Sequence, residues 1–566
     1  MDDSADDKNQ IPRTVNGGLT ESGNGNEEAG PQLTDEATLF ASPLPIVGER
    51  KTTTRVEVWS WYLYYVGNSG LGPFNFAISA WQNLLYLAGW DPAFPRGTVA
   101  CGDGGCNLVA YGTERSVNSI VLITNGLSFA FQAVIFLIVG SFADYGVWRP
   151  HITTGFTILT WAVSFAWLGV EKPSKWQAGT ALYILGLIGY QGALTFWTAA
   201  FPGLARDLPE IKESEEKLAK GETDQKTHDR KDMLARNRLA NVSFLVCSVG
   251  ELVVLAILAG ILEGVINDDP DSNTKALSIV CAYSAGVWIL CAIPWLFYEQ
   301  YRPGNQLPPR TSYLTVGVKQ IYHAFRLCLR LKQTFIYLAA YFFLGDCLNT
   351  VVIATLQNEV VSYDTKMLNY LLIDGIAAQA LGIGIFWLVQ KKYTIPTKTM
   401  LLFNAFWILV LCAWGCIGIT QQKFGFHNAW EFWAYQAFYG IFVCPWYAIS
   451  QAMISEVVPR GKEFLFFALF SIIGKTSSFI GPFVSSAIID RSGNTNMPFT
   501  FLLALGVVSV GILACVNVEK SRKECRKYLE DEAIRVYGMN SAEVLVVGSQ
   551  YEMDGQRGVA VEKDKR

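Results

Sequence analysis

The chain has 566 residues, of which 51% are hydrophobic and 17% charged, and its formal net charge is -4. A soluble domain of this size is less apolar and a nucleic-acid-binding protein is more basic, so we expect neither. The apolar residues occur in blocks of about twenty, the length that a helix needs to cross roughly 30 Å of hydrocarbon. The composition therefore predicts an all-α polytopic membrane protein.

Residues 1–55 precede the first apolar block and are rich in Asp, Glu, Gly, Ser and Asn. They contain no apolar core of a cleaved signal peptide, so we expect a disordered cytosolic tail. Twelve spans are predicted after this tail. They cover residues 58–87, 117–140, 152–170, 178–200, 239–262, 276–298, 334–356, 367–389, 399–420, 431–456, 464–488 and 498–517.

The spans divide into two bundles of six, at residues 56–298 and 334–518. A long cytosolic loop at 203–238 lies within the first bundle, a cytosolic linker at 299–333 joins the bundles, and a cytosolic tail covers 519–566. Lys and Arg indicate the orientation: with the 203–238 loop set aside, 20 of them lie on the side of the termini and 8 on the other. Because basic loops stay in the cytosol, both termini are predicted there.

The breaker cluster in the first span is the densest in any span. It reads Gly67-Asn-Ser-Gly-Leu-Gly-Pro73 and is followed by Phe74 and Asn75. Unwound backbone at membrane depth offers free N–H and C=O groups to a ligand, so one interpretation is a substrate contact that includes Asn75. A close helix crossing with a proline kink is the alternative.

Two of the twelve cysteines lie in a predicted non-cytosolic loop, Cys101-Gly-Asp-Gly-Gly-Cys106. The glycines allow the loop to close tightly, and the compartment permits oxidation, so Cys101 and Cys106 are candidates for a disulfide. The other ten lie in spans or cytosolic segments, where a packing role is expected.

Charged groups inside the spans are few, and each costs at least about 2.5 kcal/mol in hydrocarbon, so they are candidates for function. The four that stand out are Glu251, Asp346, Asp374 and Lys475. Glu251 is interpreted either as a proton carrier or as a protonated, hydrogen-bonded packing residue. Lys475 needs an anion, which is either Asp346 or Asp374 in an internal pair or the carboxylate of a substrate.

The linker contains a basic stretch from Lys319 to Lys332, with Ile321, Phe325 and Leu329 at helical spacing. This pattern is typical of an amphipathic helix on the cytosolic membrane surface. A solvated linker is the alternative.

The segment after span two reads Gly140-Ser-Phe-Ala-Asp144-Tyr-Gly146-Val-Trp-Arg149. It resembles the Gly-x-x-x-Asp…Gly-Arg signature of the major facilitator superfamily, with one residue fewer between Asp144 and Gly146. A carboxylate at a helix end that faces an arginine makes a breakable latch between helices. Gly140, Asp144, Gly146 and Arg149 are therefore the predicted gating motif.

Further motifs narrow the resemblance. They are Trp61-Tyr62-x-Tyr64, Pro73-Phe74, Phe343-Leu-Gly345-Asp346-x-x-Asn349-Thr350, Pro459-Arg-Gly461-Lys-Glu463-x-x-Phe466-Phe467 and Gly474-Lys475-Thr-Ser-Ser478-x-x-Gly481-Pro482. Together they resemble the fungal autophagy-related vacuolar amino-acid effluxers, the autophagy-related protein 22-like family, over residues 56 to 518.

The resemblance implies a major facilitator fold with two six-helix bundles around a central cavity. It also implies release of neutral amino acids, leucine-like ones among them, from the vacuole lumen to the cytosol after autophagic breakdown. The expected mechanism is alternating access with possible proton coupling. The residues expected to contact substrate or couple its transport are Asn75, Glu251, Asp346, Asn349, Asp374, Tyr447 and Lys475.

No enzyme signature competes with this interpretation. The sequence has no Gly-x-x-x-x-Gly-Lys-Ser/Thr loop, and its four histidines, at 151, 228, 323 and 427, lie in separate segments without ligand spacing. We expect a monomeric secondary transporter in the lipid bilayer, with no cofactor, metal ion or nucleic acid. Two alternatives stay open: a plasma-membrane carrier for another small solute, and a nutrient receptor that does not transport.

Overall fold

The computed structural model describes residues 51–537 except for 103–104, 145–147, 267–269, 303–321, 323–324, 349–350, 394 and 460–462. The side chains of some further residues within helices also lie outside the described part. All described residues belong to one unit, Ser42–Arg566.

The first half of the chain, residues 51–302, consists of helices and one hairpin. The elements are α1 (Arg55–Gly67), α2 (Ala77–Ala88), β1 (Asn107–Ala110), β2 (Thr113–Ser116), α3 (Val117–Asp144), α4 (Arg149–Ala166), α5 (Trp176–Thr198), α6 (Phe201–Arg206), α7 (Pro209–Ala219), α8 (Gln225–Val265) and α9 (Pro270–Tyr298). The hairpin is antiparallel, with Asn107 opposite Ser116. Sequence analysis did not predict it.

The second half, residues 325–537, contains helices and no β-strand in its described part. The elements are α10 (Lys332–Leu348), α11 (Val351–Val360), α12 (Thr365–Tyr393), α13 (Thr397–Ile417), α14 (Ala429–Phe438), α15 (Pro445–Val457), α16 (Glu463–Ser492), α17 (Pro498–Ala514) and α18 (Val518–Tyr537). A π-helical segment, Tyr439–Val443, connects α14 to α15.

Local sequence explains where several helices begin. The Thr54 side chain accepts a hydrogen bond from the Glu57 backbone N–H and caps α1. Asn428 and Glu431 form a capping box at the start of α14. These side chains satisfy backbone N–H groups that a helix leaves without partners at its first turn.

Each predicted span coincides with helical structure, but the count of twelve is not confirmed. Among the described residues, seven helices are individually long and apolar enough to cross a membrane, or up to eight when the bent pair Pro498–Ala514 and Val518–Leu529 is included. Several of the other predicted spans fall on interrupted helices. The first covers α1 and α2, and the tenth covers α14 and α15.

Two predicted irregular segments are more ordered than expected. The 203–238 loop contains α6, α7 and the beginning of the long helix α8. The predicted disordered tail extends too far, because Thr53 is 2% exposed and its backbone N–H donates to the carbonyl oxygen of Asp207. In the predicted amphipathic stretch of the linker, Lys319 to Lys332, residue 322 and residues 325–332 are described. Residues 325–330 are helical, with Phe325 and Leu329 exposed and Leu327 and Cys328 buried, whereas Ile321 lies outside the described residues.

The two halves pack against each other along two pairs of helices. Helix α3 packs along α16, and α8 packs along α12. Within the first half, α1 packs on α9, and within the second half, α10 packs on α17. The end where α1 begins and α9 ends is called the near end below, and the end where α2 ends and α3 begins is called the far end.

Candidate functional site

The first predicted span is interrupted at its breaker cluster. Helix α1 ends at Gly67, Gly70 has a φ of 92°, and a π-helical turn, Leu71–Phe76, leads into α2. Gly70 is suited to this place because a residue with a Cβ is strained at such a φ. The breakers therefore interrupt the helix in the middle of the span.

The same glycines also permit a close helix crossing. A Cβ added to Gly67 would lie 2.6 Å from a side-chain atom of Trp288, and one added to Gly72 would lie 2.9 Å from Ser284. Both neighbours are on α9. The crossing interpretation thus accounts for Gly67 and Gly72, whereas Asn75 is partly exposed at the end of the break.

Asn68 lies at the break and is fully buried. Neither its amide nitrogen nor its amide oxygen has a hydrogen-bond partner among the described residues. A buried polar atom without a partner costs roughly 1–3 kcal/mol, so a bound water or a polar ligand group would stabilise this position. The glycines and proline around Asn68 were recognised as helix breakers from the sequence, but Asn68 itself was not predicted as a site residue.

Glu251 on α8 faces the break. Its side chain is 7% exposed, and it interacts with the hydroxyl of Ser69. Helices α8 and α1 are in tight contact here, because a Cβ on Gly250 would lie 2.5 Å from Val66. Tyr190 of α5 is also close enough for an electrostatic interaction with Glu251. The carboxyl group is therefore directed into the first half and not towards the surrounding lipid.

Two of the expected site residues are described in the second half. Asp374 on α12 has one carboxylate oxygen that is buried and has no hydrogen-bond partner among the described residues. The Tyr447 hydroxyl lies 3.1 Å from that of Tyr439, and Tyr447 is 41% exposed. No described contact joins either residue to Glu251.

The remaining members of the expected site cannot be placed. Asn349 and the side chains of Asp346 and Lys475 lie outside the described residues. The pairing of Lys475 with Asp346 or Asp374 therefore stays a prediction.

At the far end, polar side chains of the two halves are hydrogen-bonded to each other. Ser79 donates to Asn358 Oδ1 at 2.8 Å, and Asn358 Nδ2 donates to Gln82 Oε1 at 3.0 Å. Gln82 also donates to the carbonyl oxygen of Thr355 at 3.3 Å. Ser79, Gln82, Asn358 and Thr355 are all buried, so these bonds are shielded from water.

Helices α3 and α16 extend this arrangement. Asn118 Nδ2 donates to a Glu359 carboxylate oxygen at 2.8 Å, and the Ser119 and Ser486 hydroxyl oxygens lie 2.6 Å apart. On β2, Arg115 forms an ion pair with Asp490. The far-end network is defined as these cross-half partners: Ser79, Gln82, Arg115, Asn118, Ser119, Thr355, Asn358, Glu359, Ser486 and Asp490. It holds the two halves together at this end.

The hairpin that carries Arg115 follows a disulfide-closed loop. Cys101 and Cys106 are joined by a disulfide, and their Cα atoms lie 4.9 Å apart. A Cβ on Gly89 would lie 2.4 Å from the Cys106 sulfur, so the loop packs directly on the end of α2. Trp90 and Asn107 form a β-bridge that continues the hairpin towards this helix.

The near end contains a group of buried charges. Arg302 donates to Glu57 Oε1 at 2.6 Å and to Asp207 Oδ2 at 3.0 Å, and it also bonds the hydroxyl of Thr53. Burial lowers the pKa of Arg302, but hydrogen bonds and the charges of Glu57 and Asp207 raise it by more, so its pKa lies above the ordinary value. The guanidinium therefore remains charged.

Arg149 of the predicted gating motif lies beside this group. It pairs with Glu299 at 3.0 Å, at the end of α9. Gly140 lies on α3 with no side-chain or backbone neighbour within 4 Å of an added Cβ. The Asp144 side chain and Gly146 lie outside the described residues, so a bond between Asp144 and Arg149 stays a prediction.

Comparisons with known proteins agree with this architecture. A family model described as "Vacuole effluxer Atg22 like" matches residues 53–526. The chain belongs to this family. Autophagy-related protein 22 of Yarrowia lipolytica is 24% identical over 478 residues, covering 75% of this chain and 80% of that protein. That of Eremothecium gossypii is 24% identical over 503 residues, covering 84% and 94%.

Solved structures give the fold. The inward open conformation of the xylose transporter XylE from E. coli has a TM-score of 0.51 and 12% identity, and the match covers 82% of this chain and 99% of XylE. A partially occluded inward open form of XylE also gives 0.51, with 13% identity. The Atg22-like chain thus has the major facilitator fold that sequence analysis predicted.

Family and fold together define the broad class. This Atg22-like protein is a multi-pass membrane transporter for small molecules and not an enzyme. The resemblance drawn from the sequence motifs is confirmed.

Several residues of this Atg22-like chain have partners that its sequence did not indicate. Glu57 and Arg302 are 245 positions apart, and Ser79 and Asn358 are 279 apart. Glu57 had one usable signal, an acidic residue one turn before the Trp61-Tyr62 motif. The Ser, Asn and Gln of the far-end network gave none, because neutral polar residues occur in many membrane helices as packing residues.

Proposed function

We propose that this protein is a secondary transporter that releases neutral amino acids, leucine-like ones among them, from the vacuole lumen into the cytosol after autophagic degradation. The observation that carries the proposal is the match of the vacuole effluxer family model to residues 53–526. The names of the autophagy-related relatives support the compartment and the process. The motifs around Asn349 and Lys475 support the cargo by their resemblance to amino-acid effluxers.

The orientation belongs to the same proposal. The excess of Lys and Arg on the side of the termini assigns the near end to the cytosol and the far end to the lumen. The far-end network then closes the lumenal side of the transporter. Among the described residues, no side-chain hydrogen bond or ion pair joins the two halves at the near end.

Transport would proceed by alternating access. In the closed state described above, the far-end network separates the substrate cavity from the lumen. Loading from the lumen requires these hydrogen bonds to break while contacts form at the near end. Each hydrogen bond contributes only about 0.5–1.5 kcal/mol, so substrate binding can supply enough free energy to change the balance between the states.

The cargo would bind between the halves. Lys475 meets the substrate carboxylate, directly or by exchange with Asp346 or Asp374, because an ammonium in a low-dielectric cavity needs an anion. Asn75, Asn349 and Tyr447 add polar contacts. The partial exposure of Asn75 and Tyr447 supports their access to a cavity.

Glu251 would couple transport to protons that leave the acidic lumen. Its burial beside Ser69 and the helix break supports this role, since among the described residues it has no cationic partner that would keep it ionised. Arg149, with Gly140, Asp144 and Gly146, would form the near-end latch. The Arg149–Glu299 pair supports a latch that also includes the end of α9.

The test is efflux of labelled amino acids from vacuoles isolated from cells with and without the protein. We expect loss of leucine efflux without the protein and restoration by the wild-type chain, but not by Lys475→Ala at equal abundance in the vacuole membrane. Normal efflux with Lys475→Ala would exclude the assigned role of Lys475. Location at the plasma membrane, or binding without flux in reconstituted vesicles, would overturn the proposal in favour of a carrier for another solute or a receptor.

A further inference from the structure

A groove lies at the surface of the first half, at the near end. Its volume is about 480 Å³, and one wall is formed by α1 and the other by α8 and α9. The lining residues are Arg55, Val56, Trp59, Ser60, Leu63, Val246, Pro294 and Tyr298. None of them belongs to the proposed transport site, the far-end network or the near-end charges.

Most of the groove lining is apolar. Val56, Leu63 and Val246 provide aliphatic walls, and the hydroxyl of Ser60 is already bonded to the carbonyl oxygen of Glu57 at 2.9 Å. From Arg55 to Leu63 the wall of α1 rises about 12 Å at 1.5 Å per residue. This length is close to half of the roughly 30 Å hydrocarbon core, so the groove follows one leaflet.

The outer part of the groove has the features of a membrane–water interface. Trp59 and Tyr298 are 60% and 56% exposed, and both rings lie within one turn of a helix end. Aromatic residues of this kind are enriched at the level of lipid headgroups. The level of Arg55, the first residue of α1, is therefore that of the headgroups.

Charge distinguishes this groove from an ordinary lipid-facing surface. Arg55 is exposed and makes no ion pair with any described acidic residue. The nearest acidic side chains along the chain and at the end of α9, Glu57 and Glu299, are engaged by Arg302 and Arg149. The guanidinium of Arg55 thus supplies a positive charge at the mouth of the apolar groove.

We propose that this groove binds an anionic glycerophospholipid of the near-end leaflet. Its phosphate and anionic headgroup contact Arg55. One acyl chain lies between α1 and the opposite wall, which Val246 of α8 and Pro294 of α9 form. An arginine suits this role because its planar guanidinium binds phosphate through two hydrogen bonds at once. Pro294 lies inside α9, where it cannot donate a backbone hydrogen bond, and it forms part of the groove wall.

Native mass spectrometry of the full chain, purified in mild detergent and titrated with phosphatidylserine or phosphatidylcholine, tests the proposal. We expect wild-type protein to retain phosphatidylserine in preference to phosphatidylcholine. Arg55→Gln should reduce phosphatidylserine retention about fivefold, as expected for one basic residue near an anionic membrane surface. Leu63→Trp should fill the groove and reduce retention of both lipids.

Lys51→Gln is the matched control, because Lys51 is exposed, has the same charge and lies outside the groove. It should leave retention unchanged. Equal losses with Lys51→Gln and Arg55→Gln, equal retention of the two lipids by the wild type, or occupation of the groove by a second copy of the chain would each overturn the proposal. The thermal stability of every variant is measured in the same detergent, so that a folding defect is separated from lost binding.

Discussion

The guanidinium of Arg302 stabilises two buried carboxylates. Glu57 is 0% exposed, and Asp207 is 1% exposed, so neither can be hydrated if Arg302 is removed. Removing one partner of a buried ion pair leaves the other charge buried without compensation, and this lowers the free energy of unfolding more than replacing both partners does. The contact also attaches the beginning of the central linker to α1 and to the end of α6.

We therefore predict that Arg302→Met destabilises the protein by about 3–5 kcal/mol, measured by thermal or denaturant unfolding in detergent. Arg206→Met is the control. Arg206 also contacts Asp207, at 3.1 Å, but its side chain is 46% exposed, so its loss should cost less than about 1 kcal/mol. Equal destabilisation by the two substitutions would contradict a special role for Arg302.

Glu251 gives a functional prediction at the same scale. Glu251→Gln keeps the shape of the side chain and its interaction with Ser69, but the amide of Gln cannot bind and release a proton as the carboxyl group of Glu does. We expect the variant to fold as the wild type does. If Glu251 carries the coupled proton, amino-acid flux through the variant no longer responds to a pH gradient across reconstituted vesicles.

Glu213→Gln serves as the comparison for Glu251→Gln, because Glu213 on α7 is 64% exposed and pairs only with Lys217 among the described ion pairs. It should respond to the gradient as the wild type does. An unchanged gradient response in Glu251→Gln would leave Glu251 as a packing residue, which is the second interpretation given by the sequence.

The residue scale also shows what a single sequence can predict. The cost of a charge in hydrocarbon was sufficient to single out Glu251, and the structure directs its carboxyl inward. The same argument could not find Asn68, because a neutral amide is tolerated in a span and its missing partners are visible only in three dimensions.

At the scale of elements, α1 and α9 cross at Gly67, where there is no room for a Cβ atom. A Cβ on Gly67 would lie 2.6 Å from Trp288 Cδ1 and 2.8 Å from its Cα, and the backbone cannot move away easily. Gly67→Ala should therefore destabilise the protein by about 1–3 kcal/mol in detergent unfolding, although alanine favours helices more than glycine does.

Gly155→Ala on α4 provides the contrast, since nothing lies within 4 Å of its added Cβ. That substitution should be neutral or stabilising by up to about 1 kcal/mol. A stabilising Gly67→Ala would mean that the crossing is looser than the structure indicates.

The interruption of the first span could be predicted, because glycine and proline break a helix at their own positions and need no distant partner to do so. The hairpin at β1 and β2 was not, because its strands have four residues each and depend on the disulfide-closed loop beside them. The helices of the 203–238 segment were missed for another reason. Helix α7 and the beginning of α8 are polar, and a search for apolar blocks does not detect them.

At the scale of the whole molecule, apolar block length predicted where helices lie along the chain, and motif resemblance predicted the major facilitator fold. Neither could predict which state the transporter adopts. That state is defined by contacts between residues more than 240 positions apart, such as Asn118 with Glu359 and Ser119 with Ser486. Such pairs leave no trace in one sequence.

The far-end network gives the last prediction, because the alternating access proposed above requires it to open and close. The hydroxyl oxygens of Ser119 and Ser486 lie 2.6 Å apart, so cysteines at both positions can reach disulfide distance with a small adjustment. Under oxidation, Ser119→Cys/Ser486→Cys should crosslink α3 to α16 and stop amino-acid flux in reconstituted vesicles. A reductant should restore it.

Each single cysteine variant should transport normally under oxidation, which excludes an effect of the new thiols themselves. Wild-type protein treated with the same reductant controls for opening of the Cys101–Cys106 disulfide. If the crosslink forms in most molecules and flux continues at the wild-type rate, α3 and α16 do not separate during transport. The far-end network would then be a permanent structural contact, and the path of the substrate would have to pass elsewhere.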